Sequence, residues 1–254
     1  MESPTTTSPI YDPYAILPFV AYRSEACPEG DLCHSLMHFI ESEKFRGVDD
    51  CYRRFLLQQD DPDDFLLETA AIQQGDVRAD WAEQRAGLIR AGMWMQLVQH
   101  QDALRDSLLK PNCSTGVQLI DKAADDIYRR LISASESGNE LRRVVLAGDR
   151  TLSSSAVFRT FDHLFQSRMP DEIYISDEIG LAELANQYAL SKYIPVRVFS
   201  GSDDAEACAV SMLEKGTHVF TISRSVESES GLANRLLALA PKQGKVAHRF
   251  PWND

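Results

Sequence analysis

The stretch Arg143-Val144-Val145-Leu146-Ala147-Gly148-Asp149-Arg150 decides the fold of this 254-residue chain. Thr151-Leu152-Ser153-Ser154-Ser155 follows it, and then an amphipathic run from Ala156 to Phe165. Four apolar residues closed by a glycine read as a buried strand and its turn, and the hydroxyl-rich segment reads as a helix entry. That order sets backbone N–H groups and a helix N-terminus beside a strand end. Such a place binds anions, nucleotide phosphates commonly among them.

Working outward, short apolar runs alternate with helical patterns to the end of the chain. Strands are expected at 144–147, 172–176, 196–199, 218–222 and 246–250. Helices are expected at 156–165, 181–190, 205–215 and 231–238. The strands are nearly all apolar rather than alternating, which is the pattern of a parallel sheet covered on both faces. The expected fold is α/β: a small, doubly wound, mostly parallel Rossmann-like sheet over residues 141–254.

Upstream, residues 31–138 read as an acidic, all-helical domain. Leu32, Leu36, Met37 and Ile40 have helical spacing, and 49–59 forms a second short helix. Asp60-Asp61-Pro62-Asp63-Asp64 restarts a third, which Gly75 stops. A long pattern runs from Asp76 to Leu109, ended by Pro111-Asn112, and Ser114 opens another. Trp81, Met93, Trp94 and Met95 on the long pattern read as bundle core rather than as a partner groove. Residues 1–30 carry five prolines and read as an extended arm. The aromatics between Ile10 and Tyr22 are expected to dock on the body of the protein or on a partner chain.

The net charge of −12 is uneven. Residues 1–140 hold 24 acidic and 13 basic side chains, whereas residues 141–254 hold 14 and 13. A strongly acidic half argues against nucleic-acid binding, which needs a basic footprint, and suits a basic protein partner. No run of about 18 apolar residues exists, so no transmembrane helix or membrane association is expected. The first nine residues lack the marks of a secretory signal. Cys27, Cys33, Cys51, Cys113 and Cys208 are odd in number and without framework spacing, as expected of reduced thiols in a cytoplasmic protein.

The C-terminal part, residues 143–250, resembles the YspA-like branch of the SLOG superfamily. Relatives there include the LOG cytokinin-activating hydrolases and the DprA/Smf DNA-processing proteins. The family's first strand ends in Gly-Ser-Arg; here Gly148-Asp149-Arg150 stands in that place, with Thr151 to Ser155 as the polar segment. The family's Gly-Gly-x-x-Gly-x-Asp phosphate loop aligns with Ser176-Asp177-Glu178-Ile179-Gly180-Leu181-Ala182, which keeps only Gly180. Tyr193 to Phe199 matches a later helix end and strand. Glu229-Ser230-Gly231-Leu232 replaces a Gly-Thr helix opening.

The resemblance implies either a nucleotide-derived ligand at Gly148, Asp149, Arg150, Ser153, Ser154, Gly180 and Gly231 or a fold kept only as an assembly platform. It also implies an oligomeric protein, here a homodimer, with the acidic helical half serving oligomer or partner binding. Loss of the diglycine loop, with Asp177 and Glu178 in its place, points away from catalysis. Two further readings follow from the same resemblance. One is a LOG-like nucleotide N-glycoside hydrolase using Glu178 or Glu183. The other is an acidic phage or mobile-element protein that sequesters a signal nucleotide or inhibits a host protein. No Pro-Gly-Gly-x-Gly-Thr motif supports the hydrolase. His34 and His38 lie four apart on a helix and can share a metal, but no His-Glu-x-x-His or Cys-x-x-Cys accompanies them. Two half-buried histidines are the expectation, with no metal and no cofactor.

Overall fold

The computed structural model describes residues 11–73, 76–101, 104, 115–138, 140–200, 204–225 and 227–252. The helix stops read at Gly75 and at Pro111-Asn112, the helix start at Ser114, and Cys113 lie outside them. Two compact units emerge, one of residues 1–19 and 32–139, the other of residues 20–31 and 140–254. The stretch read as a single arm therefore divides at Phe19. A short two-stranded sheet, β1 (Phe19–Val20) and β2 (Leu32–Cys33), marks the region where the chain passes between units.

The first unit is helical. Its elements are α1 (Leu36–Glu43), α2 (Asp50–Leu57), α3 (Pro62–Ala70), α4 (Trp81–Gln99) and α5 (Gln118–Glu136). Side-chain caps from Ser35, Asp49 and Asp61 open the first three. Within the long pattern read over 76–109 the helix runs from Trp81 to Gln99, where His100 leaves helical geometry, and it starts after Asp80, whose carboxylate is held from the preceding turn. Arg78 holds both its carboxylate oxygens, at 2.6 and 3.0 Å, so the chain turns there before α4 begins. From Leu88 to Leu97 α4 is buried on almost every side, Met93, Trp94 and Met95 included, which makes it the centre of this unit. Tyr11 docks here: its hydroxyl donates to Gln96 Oε1 at 2.6 Å, and the Gln96 amide donates to the Leu17 carbonyl at 3.1 Å.

The second unit is α/β, with a sheet that is parallel throughout. The strands are β3 (Arg143–Gly148), β4 (Glu172–Ser176), β5 (Val196–Phe199), β6 (His218–Ser223) and β7 (Val246–Pro251), ordered β5-β4-β3-β6-β7. The chain thus runs outward from β3 to β5 and then returns to the other side of β3. Helices α6 (Phe158–Phe165), α7 (Leu181–Ser191), α8 (Ala205–Lys215) and α9 (Gly231–Leu239) alternate with the strands. Val145, Ala147, Tyr174 and Val219 pack with Met212 of α8 and Leu236 of α9. Phe220, one position on from Val219, meets Phe165 of α6, whose ring stacks in turn near Tyr188 of α7. Period-two side-chain alternation accounts for the two sets.

Among the described residues no helix is long and apolar enough to cross a membrane. Cys27, Cys33, Cys51 and Cys208 are not joined in disulfides.

Candidate functional site

The turn after β3 is built by backbone packing. An added Cβ at Gly148 would lie 2.0 Å from the Ile222 carbonyl oxygen, so only glycine lets β3 and β6 approach this closely at their ends. The next residue repeats the tie, since the Asp149 N–H donates to the Ile222 carbonyl at 3.0 Å. Asp149 is fully buried, and its Oδ1 accepts both the amide and the hydroxyl of Thr151 at 2.7 Å. Burial alone would raise this carboxyl; hydrogen bonds from Thr151, with further ones from Ser228 and the Arg224 main chain, outweigh it and hold the group below the usual range. Asp149 therefore closes a turn rather than placing a charge in the mouth of the site.

Across β6, Asp149 also bridges to Glu229, and the Ser230 N–H donates to the Gly148 carbonyl at 3.1 Å. The Glu229 carboxylate accepts from the Ser223 hydroxyl at 3.0 Å and from Arg249 at 2.7 Å. Ser230 caps α9 by accepting the Ala233 N–H. The crevice between the ends of β3 and β6 is filled by these groups.

On the other side of β3 the chain leaves room. Gly180 has φ +81°, and a Cβ there would lie 2.5 Å from the Arg150 carbonyl. This approach lets the Leu181 N–H, the first of α7, donate to the Asp149 carbonyl at 3.0 Å. The stitched loops border a cleft of about 390 Å³, within the usual range of small-ligand pockets. Arg150, Thr151, Ser153 and Ser155 line one wall; Ile179, Gly180, Glu183 and Gln187 line the other. No described residue forms an ion pair with the exposed Arg150. The Ala182 and Glu183 amides stand in the first turn of α7, where no intrahelical carbonyl reaches them.

Of the residues singled out in the sequence, Arg150, Ser153, Gly180 and Glu183 are brought together at this cleft. Gly148 and Asp149 are buried in the loop packing. Ser154 caps a 3-10 turn at Ser155–Val157, accepting the Ala156 N–H at 3.3 Å. Gly231 opens α9 on the other side of the filled crevice, and Glu178 is not part of the cleft wall. Gln187 is an addition from outside the motifs, and Thr151 and Ser155, part of the polar segment, join the residues singled out for ligand contact.

A scan against protein-family models matches none, and a search of the curated proteins matches none.

The loop after β4 has the polarity of a cation receptor. Arg23, from residues 20–31 of this unit, donates to the carbonyls of Ser176 (3.1 Å), Glu178 (2.8 Å) and Asp177 (2.9 Å). Asn186 of α7 pairs with the Arg23 main chain, and the neighbouring Tyr22 hydroxyl donates to the Ile194 carbonyl at 2.9 Å. Burial lowers the Arg23 guanidinium from its usual range, against the raising influence of Glu183, Asp177 and Glu29. Where a phosphate loop presents N–H groups to an anion, these three carbonyls face a guanidinium. Nothing near Arg23 in the sequence marks it for this place, because its partners are backbone oxygens about 150 positions away.

In the helical unit His34 lies before α1, just after the β2 strand, so it does not share a helix face with His38 as its spacing suggested; the two rings stand 5.3 Å apart. His38 Nε2 donates to the Gln59 carbonyl at 2.7 Å, and Nδ1 lies 3.0 Å from the Ser35 hydroxyl, so both ring nitrogens have protein partners. Burial lowers its pKa, with the Gln59 carbonyl opposing. Among the described residues no group of three or more His, Cys, Asp or Glu is placed to hold a metal.

Proposed function

We propose that the sheet unit is a doubly wound, SLOG-like domain that binds a nucleotide-derived ligand without turning it over. The observation that carries this reading is the cleft itself. It joins an arginine without an ion-pair partner among the described residues, three hydroxyls and the first turn of α7. It opens at the carboxyl ends of β3 and β4, the edge of the sheet where open α/β folds bind ligands, one strand over from the switch point between β3 and β6. In this reading Arg150 and the hydroxyls of Ser153 and Ser155 hold a phosphate. Glu183 accepts from sugar hydroxyls, and the Gln187 amide supplies a further polar contact. A mononucleotide fits the volume better than a dinucleotide.

The hydrolase reading draws less support. The Pro-Gly-Gly-x-Gly-Thr motif that carries the hydrolases' glutamate is absent from the sequence, and among the described residues Glu183 is the one carboxylate in this wall. The filled crevice between β3 and β6 favours a second, non-catalytic reading, in which the sheet serves as an assembly platform.

Calorimetric titration with AMP, ribose 5-phosphate and inorganic phosphate separates these readings. The binding reading expects AMP to bind and Arg150→Ala to weaken it roughly tenfold to a hundredfold, the worth of a charge-assisted hydrogen bond, with an unchanged melting temperature. Absence of AMP binding at millimolar concentration would leave the platform reading standing. Release of free adenine from AMP would instead establish the hydrolase.

A further inference from the structure

Helix α3 is out of balance with its surroundings. Of its nine residues only Phe65 is buried. That ring stacks on His38 with centroids 3.9 Å apart, and the Tyr52 hydroxyl donates to the Glu68 carbonyl at 3.4 Å. Helices this short draw their stability from burying an apolar face. Here the face is turned outward, with Leu66 43% and Leu67 71% exposed. Phe55 of α2 is 41% exposed and stacks on Tyr52, the residue that ties α2 to α3.

The surroundings of these leucines are acidic. Between residues 49 and 76 there are eight carboxylates and two arginines, and one of the two, Arg53, is buried against Glu43. Asp60, Asp61, Asp63 and Asp64 are all exposed, at or just before the first turn of α3. A second copy of the chain seated here would bring like charges together, and an anionic lipid surface or a nucleic acid would be repelled. The occupant that satisfies both the apolar face and the acidic surround is an amphipathic helix with lysine or arginine beside its apolar stripe.

We propose that α3, with Phe55 of α2, is a docking surface for a basic amphipathic helix of a partner protein. Leu66 and Leu67 meet the partner's apolar residues, and Asp63, Asp64 and Glu68 meet its cations. This surface stands independently of any nucleotide bound by the sheet unit.

The test uses the full chain and a fluorescent 18-residue peptide with leucines on one helical face and lysines on the other, read by anisotropy. A control peptide has the same composition scrambled to destroy the stripe, and another carries glutamine for lysine. The proposal expects binding of the first peptide only, weakening as salt rises. It also expects at least roughly tenfold weakening with Leu66→Ser/Leu67→Ser, whose exposed positions leave the melting temperature unchanged. Equal binding of the scrambled peptide, or undiminished binding by the leucine variant, would overturn it. So would a dimer of the chain that Leu67→Ser dissociates, or binding of the wild type to neutral phosphatidylcholine vesicles that the same substitution abolishes.

Discussion

Asn186 grips Arg23 by both of its main-chain groups: the Arg23 N–H donates to Asn186 Oδ1 at 2.9 Å, and Asn186 Nδ2 donates to the Arg23 carbonyl at 3.1 Å. The amide imitates a strand edge and aims the guanidinium at the three carbonyls after β4. Arg23→Gln leaves buried carbonyls without a donor and is expected to cost about 2–4 kcal/mol. Arg23→Lys keeps the charge but loses the planar fork, and should fall between. Urea denaturation of the three proteins checks the order; a glutamine variant as stable as wild type would remove the arginine from any structural role.

Glu172 gives the sheet unit a pH dependence of unusual sign. It is buried at the start of β4, 3.6 Å from Arg143 Nε. Burial pushes its carboxyl up to about 7, against the lowering influence of Arg143 and Arg197. The contribution is fully present below the unfolded value of about 4.5 and is lost as pH rises through 7, because the folded state keeps a proton that the unfolded state releases. The loss amounts to about 3 kcal/mol. Glu172→Gln should flatten this part of the profile, so the variant should gain on wild type between pH 5 and pH 8 in urea denaturation. A constant difference between the two across that range would refute the shift.

Glu43 has the opposite sign. It is fully buried, 2.6 Å from Arg46 and 3.2 Å from Arg53. Burial would raise its carboxyl, but the two arginines outweigh it and hold the group below the usual range. Its stabilising effect is present above pH 4.5 and is lost as pH falls. Arg53→Met is expected to cost about 2–4 kcal/mol at neutral pH, and Glu43→Leu added to it should recover most of that. A double-mutant cycle by thermal denaturation measures the coupling, and additive effects would show that the two side chains act independently.

Gly180→Ala meets two obstacles, a positive φ and a Cβ placed 2.5 Å from the Arg150 carbonyl. The expected loss is about 2–4 kcal/mol. Since the substitution displaces one wall of the cleft, ligand titration of whatever fraction folds should show weaker binding as well. Wild-type stability would mean that the two loops are not packed as described.

The strands at Glu172–Ser176 and Val196–Phe199 are readable from sequence because each is a short apolar run bounded by turn residues. The order of helices and strands follows for the same reason. The glycines are readable as turns but not for their purpose: Gly148 and Gly180 answer to the carbonyls of Ile222 and Arg150, which are distant or unremarkable in the sequence. Three of the seven residues of the phosphate-site comparison, Arg150, Ser153 and Gly180, line the cleft. The remaining four do not converge there: Gly148 is packed against the Ile222 carbonyl, Asp149 turns inward to Thr151, Ser154 caps a turn, and Gly231 lies beyond Glu229. Arg23 leaves no trace in pattern or spacing, since backbone oxygens carry no residue identity.

Tyr22 and Arg23 reach partners 153 to 172 positions later in the chain. During synthesis these two residues emerge well before the strand that receives them, and helices α1 to α5 are all made in the interval. The sheet unit is consequently the last part to be completed, and an expression fragment starting at residue 140 lacks the buried side chains of Ala21, Tyr22, Arg23 and Asp31. A self-sufficient version requires residues 20–31 to be joined ahead of Glu140 by a linker that replaces the helices.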